Sequence, residues 1–243
     1  ASDQLFGLVG RAHTTAFRRR AHEKLRTNLN SQLTASINWW IGHLGSSPPR
    51  EVPLRIGDIP LVVSYGDGEG ADGRIGVVLR ASFYEDGLPR VGSAITPAIV
   101  RRYWDRQRTQ SQGPANPKAP ADAAQDIQQI EGILPAVILH NFPGLCHCLW
   151  LHFVDNNGAL GGLIKGSASI HSDEVILGYT WAQIAHRRIW AYFDRVDTES
   201  NIADIPSRQP LHKMPELLGM PYQPFRLKFP QKLITAITTS LET

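Results

Sequence analysis

The sequence predicts a mixed α/β domain, a mixed sheet flanked by helices, behind a helical N-terminal segment. Three observations carry this. The apolar runs PLVVSYGDG (60–68) and RIGVVLRASF (74–83) flank the glycine-rich GEGAD, the signature of a β-hairpin. CLWLHFVD (148–155) is a buried-strand pattern that follows a stretch of helical spacing. RIWAYFDRV (188–196) is an aromatic-rich strand pattern that follows another. The order of helices, three strands, helix, strand, helices, strand and helix fits one sheet covered by helices.

Residues 4–45 read as helical. Leu33, Ile37, Trp40, Ile41 and Leu44 recur at the 3.6-residue period, with Ser31 as N-cap and Gly45, Pro48 and Pro49 as the stop. Upstream, Arg11, Arg18, Arg19, Arg20, Lys24 and Arg26 make a basic helix, either a solvated face or a phosphate-contacting one. LPRVGSAI (88–95) reads as a third strand at the sheet edge, because it carries Pro89. Residues 105–124 hold almost no large apolar side chains and read as a mobile insertion. Ile127, Ile130, Leu134, Val137 and Ile138 return to helical spacing, and Pro135 either kinks that helix or starts a new one. Residues 172–188 read as helix through Val175, Ile176, Tyr179 and Ile184.

The chain has 243 residues, 42% of them hydrophobic, which is enough for a real core. With 25 basic and 22 acidic residues the net charge is +3, and the pI is near 9.0. This excludes an acidic solvating chain and a polybasic histone-like chain, and it permits a nucleic-acid partner. Two cysteines exclude a disulfide framework and point to a reducing compartment. No apolar run is long enough to span a membrane, and ASDQLFG lacks signal-peptide features, so an intracellular site (cytoplasmic or nuclear) is expected.

Asp is depleted inside strands, so Asp67 after LVVSYG and Asp155 after CLWLHFV stand out. A carboxylate at the end of an apolar strand is costly to bury without a cation or donor. Glu131 lies in the amphipathic segment expected to pack on the sheet, and Asp204 follows the last strand. Four such carboxylates without a Cys/His cage favour hard cations, Mg2+ or Mn2+.

SYGDGEGADGRIGVVL, then IE, then LWLHFVDNNGAL with KGSAS, then YFDRVDTESNIADIPSR, resembles the ribonuclease H domain of retrotransposon-type reverse transcriptases. S-N-x-A-D-x-P-S-R is its most specific part, and D-N after an apolar strand is the second. The resemblance spans about residues 54–210. It implies a ribonuclease-H-like mixed five-stranded sheet. It also implies that Asp67, Glu131, Asp155 and Asp204 bind two divalent ions, Mg2+ or Mn2+, for hydrolysis of the RNA strand of RNA–DNA hybrids. Less specifically, QLFGLVGR, LTASINWWIGHL and PPREVPL resemble the preceding thumb and connection segments. The chain is then expected to be a C-terminal part of a reverse transcriptase polyprotein. The divisions are residues 1–52 (helical thumb or connection segment), 53–210 (ribonuclease-H-like domain) and 211–243 (C-terminal extension). Arg187, Arg188, Arg208, Asn156, Arg18, Arg19 and Lys24 are the candidate substrate contacts. His171 is the candidate for the loop histidine that assists product release. No membrane partner is expected.

Other readings use the same residues. A catalytically inactive scaffold or connection domain that binds nucleic acid would not need all four carboxylates. Asp67 and Glu69 form D-x-E, as in 3′–5′ exonucleases on a related fold, but Ser200 stands where those need Tyr or His. Transposase and integrase domains place their glutamate last, whereas Glu131 precedes Asp155. His140, Cys146, His147, Cys148 and His152 look like a zinc cluster, but strand alternation turns His147 away from Cys146, Cys148 and His152. The six Trp could stack on bases, but most fall on core faces.

Overall fold

A computed structural model describes residues 8–22, 29–46, 57–111, 123–168, 170–209 and 211–239. Strands β1 (Leu61–Glu69), β2 (Arg74–Ala81) and β3 (Arg90–Ile95) form an antiparallel meander. Strands β4 (Leu149–Val154) and β5 (Trp190–Arg195) extend the sheet parallel to β1. A further strand, β6 (Gln223–Arg226), pairs parallel with β3, so the order is β5-β4-β1-β2-β3-β6. Among the described residues the expected five strands are therefore six. QPFR is short, mostly exposed and carries Pro224, so it has no two-residue alternation to read. β3 is correspondingly not an edge. Pro89 lacks an N–H, but its carbonyl accepts from Gln223 N at 2.9 Å and helps to seat β6.

Ten α-helices are seen among the described residues. They are α1 (Arg11–His22), α2 (Ser31–Ser46), α3 (Ala98–Ser111), α4 (Ala123–Gly132), α5 (Leu134–Asn141), α6 (Asn157–Lys165), α7 (His171–His186), α8 (Asp204–Arg208), α9 (Met214–Leu218) and α10 (Gln231–Thr239). Strand alternation divides the core between the two faces of the sheet. Ile75, Val77 and Leu79 of β2 point to the larger core, with Ile130, Leu134, Ile138, Trp150, Ile176 and Leu233. Val78 of β2 and Val91 of β3 point to the other face, where Met214, Ile202 and Ile205 cover them. Residues 211–239 thus supply a strand and buried side chains to the same unit, rather than an appended extension.

Helix α3 runs on through residues 105–111, the first part of the stretch expected to be a mobile insertion. Its exposed side is mostly polar, but just before that stretch Val100, Tyr103 and Trp104 are buried at helical spacing. Burying about 200 Å² of Trp at about 25 cal/mol per Å² is worth on the order of 5 kcal/mol. That anchor outweighs the polar composition. Residues 112–122, the rest of the proline-rich stretch, lie outside the described residues. Pro135 marks a new start: α4 ends at Gly132, and α5 begins with the proline in its first turn, where its missing N–H costs nothing.

The N-terminal helices differ from expectation in detail. Asn30 rather than Ser31 caps α2, its Oδ1 accepting from Leu33 N at 2.8 Å. Of the periodic apolar face only Leu33 is buried, while Ile41 and Leu44 are exposed. Helix α1 packs on α2 and on α7, and Arg11 Nη1 donates to Lys165 O at the end of α6 at 3.1 Å.

Candidate metal centre

β1 and β4 run parallel with Tyr65 opposite Phe153, so Asp67 and Asp155 each lie two residues beyond that pair, at the same level of the sheet. Helix α4 brings the third carboxylate. It sits close on β1 because Gly68 lacks a side chain: a Cβ there would stand 2.6 Å from Ile130 Cγ2 and 3.3 Å from Glu131 Cγ. The result is a cluster in which Asp67, Glu131 and Asp155 each offer an oxygen within 4.8 Å of the others. Asp67 and Glu131 are both only 2% exposed.

Burial and mutual repulsion set the protonation. Desolvation, with Asp155 and Asp67 beside it, pushes Glu131 up to about 9. Desolvation also raises Asp67 to about 6, assisted by the charges of Asp155 and Asp204 and opposed by a hydrogen bond from Ser207 Oγ. Glu131 Oε2 accepts from Asn156 N at 3.2 Å. Three carboxylates this close, of which Glu131 keeps its proton near neutral pH, are a donor set suited to a hard divalent cation. Binding such a cation would release the Glu131 proton.

Asp204 stands beside this triad rather than in it. It opens α8, and Arg208 Nε lies 2.7 Å from its Oδ1 as an ion pair, with the N–H not aimed along a hydrogen bond. Its charge still reaches Asp67. Helix α8 reaches the site because Gly76, paired with Asp67 across β1 and β2, lets it lie directly on the sheet. Ser207, on the same helix, is a site residue that the sequence reading missed. Its position three residues after Asp204 puts it one turn along, and only the packing of α8 on β2 points it at Asp67.

The candidate substrate contacts scatter. Arg187 and Arg188 are not at the site. α7 runs back along the sheet, and β5 starts opposite the start of β4, so they lie at the end away from Asp155. Arg187 instead caps α5, donating to Leu139 O at 2.6 Å and to Phe142 O at 3.3 Å. Asn156 caps α6, its Oδ1 accepting from Gly158 N and Ala159 N, while its own N–H holds Glu131. Arg208 pairs with Asp204. Arg18 donates to Thr14 Oγ1 at 3.1 Å, and Arg19 lies between Gln32 and Glu174, so α1 turns part of its basic side toward its neighbours. Lys24 lies outside the described residues. His171 opens α7, next to Ser172, which accepts from Gln129 Nε2, two residues before Glu131.

The competing motifs resolve locally. Glu69 of D-x-E caps its own turn, accepting from Ala71 N and Asp72 N at 3.0 and 2.8 Å. Cys148 and His152 are buried, His152 Nδ1 lying 2.8 Å from Ser64 Oγ, and Cys146 is exposed. Among the described residues no histidine or cysteine joins a metal-binding cluster. Trp104 and Trp150 are core. No helix among the described residues is long and apolar enough to cross a membrane. No protein-family model matches the chain, and no curated protein matches its sequence.

Proposed function

We propose that this chain is a metal-dependent nuclease that hydrolyses the RNA strand of RNA–DNA hybrids on a ribonuclease-H-like fold. The observation that carries this reading is the convergence of Asp67, Glu131 and Asp155 into one buried cluster with Asp204 beside it. These are the four carboxylates, in the same order, that the sequence resemblance implies. The flanking helices α1 and α2 are read as a thumb or connection segment of a reverse transcriptase.

Asp67, Glu131 and Asp155 would hold two Mg2+ or Mn2+ ions. Bound there, these ions would lower the pKa of the attacking water and stabilise the leaving 3′ oxygen. The water oxygen bonds to phosphorus, the P–O3′ bond breaks, and a 5′-phosphate and a 3′-hydroxyl result. The chain's own residues set the geometry. Ser207 orients Asp67, the Asn156 N–H fixes Glu131, and the close seats at Gly68 and Gly76 hold the elements together. Backbone contacts dominate binding, with the RNA strand read through its 2′-hydroxyls.

With Mg2+, an end-labelled RNA–DNA hybrid is expected to be cut in its RNA strand at least about a hundredfold faster than an RNA duplex or a DNA duplex of the same sequence. Cleavage should slow as salt is raised. Equal cutting of all three duplexes, or cutting of the DNA strand, contradicts the proposal.

A further inference from the structure

A cavity of about 490 Å³ lies between α4, α6 and α7, within the range of small-molecule sites. Its lining begins one residue after Glu131 and two residues after Asp155. Gly132 follows Glu131, and Asn157 follows Asn156, whose N–H holds Glu131. One wall is a polar network. Asp173, 8% exposed, accepts at Oδ1 from Gln129 at 3.2 Å and from Ser172 at 3.4 Å, and at Oδ2 from Gln128 at 3.4 Å. A carboxylate has about four acceptor sites, so Oδ2 retains one.

Both glutamines spend N–H groups on Asp173, which leaves their carbonyl oxygens as acceptors. Gln128 Oε1 is packed against Gly158 on the cavity lining. The wall is therefore acceptor-rich and calls for a ligand edge made of donors. Ile176 and Leu177 supply apolar surface for a flat ring, and the exposed Lys165 supplies a cation for a phosphate. Gly161 opens the opposite wall, with nothing within 4 Å of where its Cβ would stand.

We propose that this cavity is a subsite for an unpaired guanine nucleotide of the nucleic-acid strand next to the acidic cluster. Of the four bases guanine alone presents N1–H and N2–H₂ side by side, the donor pair that the Asp173 and Gln128 oxygens match. Adenine, uracil and cytosine each place an acceptor in that edge. A base within a duplex is stacked and paired and cannot enter, so the occupant is an overhanging or extruded nucleotide. The assignment of the ligand to a substrate strand rests on the nuclease reading. The base preference does not.

The test is calorimetric titration of the full chain, in EDTA, with guanosine, adenosine and uridine 5′-monophosphates. GMP is expected to bind at least about tenfold more tightly than AMP or UMP. Gly161→Leu should weaken GMP at least about tenfold while melting no lower than wild type, because it fills open space from a helix-interior glycine. Asp173→Asn should erase the preference for GMP by replacing the free acceptor with a donor. No GMP binding, equal affinities for the three nucleotides, or unchanged affinity in Gly161→Leu overturns the proposal. Metal and cleavage are absent from this titration, so its failure is separate from a failure of the hybrid-cleavage assay.

Discussion

Glu131→Gln is expected to make the metal-free protein more stable at about pH 8 while abolishing its response to divalent cations. Unfolded, Glu131 loses its proton near the ordinary 4.5; folded, it keeps it to about 9. Its contribution to stability is therefore complete below about pH 4.5 and falls as pH rises toward 9. At about 1.4 kcal/mol per pH unit, the fall between about pH 5 and pH 8 is on the order of 4 kcal/mol. Asp67, raised from 3.8 to about 6, adds a loss of the same sign over its own narrower window. Glutamine carries no such proton. Urea unfolding in EDTA should find wild type and variant within about 1 kcal/mol of each other at about pH 5, and the variant ahead by several kcal/mol at about pH 8. Added Mn2+ should raise the melting temperature of wild type and leave the variant unmoved, because only the wild type has the full donor set. Parallel pH profiles for the two proteins would mean that the cluster is not a strained acidic site.

Gly76→Ala is expected to destabilise the fold by unseating a helix from the sheet. The added Cβ would stand 2.4 Å from Ser207 N, 2.5 Å from Ala203 O and 2.9 Å from Pro206 C, all backbone atoms that cannot rotate away. Helix α8 must lift off β2, taking Ser207 from Asp67 and moving the charge of Asp204. Overpacking of this kind costs on the order of 3 kcal/mol, a fall of about 10 °C in melting temperature for a chain of this size. Gly45→Ala, with open space around it in α2, should melt with wild type. If Gly76→Ala melts with wild type as well, α8 is not seated as described.

Both expectations turn on contacts that the sequence conveys only in part. β1, β2, β4 and β5 were legible because buried strands alternate or run apolar between turn residues. β6 was not, since four mostly exposed residues with a proline have no period. α3 was obscured by its polar face, and three buried side chains decide it. In the site, Asp67 and Asp155 were visible because an Asp closing an apolar strand is costly without a purpose, and Glu131 because it interrupts a core-facing helix. Ser207 was not visible, because its role exists only once Gly76 lets α8 lie on the sheet. Arg187 and Arg188 were misjudged for a related reason. Closeness in sequence to β5 does not say which end of the strand faces the carboxylates, and the parallel pairing with β4 puts them at the far one.

Hydrolysis at the acidic cluster is measured directly by the rate at which purified wild type and Asp155→Asn cut the RNA strand of a labelled RNA–DNA hybrid with Mg2+. Asp155→Asn removes one of the three clustered carboxylates with almost no change of shape. Wild type is expected to cleave, EDTA to abolish that cleavage, and the variant to cut at least about a thousandfold more slowly. Equal rates for the two proteins, or cleavage indifferent to EDTA, would contradict hydrolysis at this cluster.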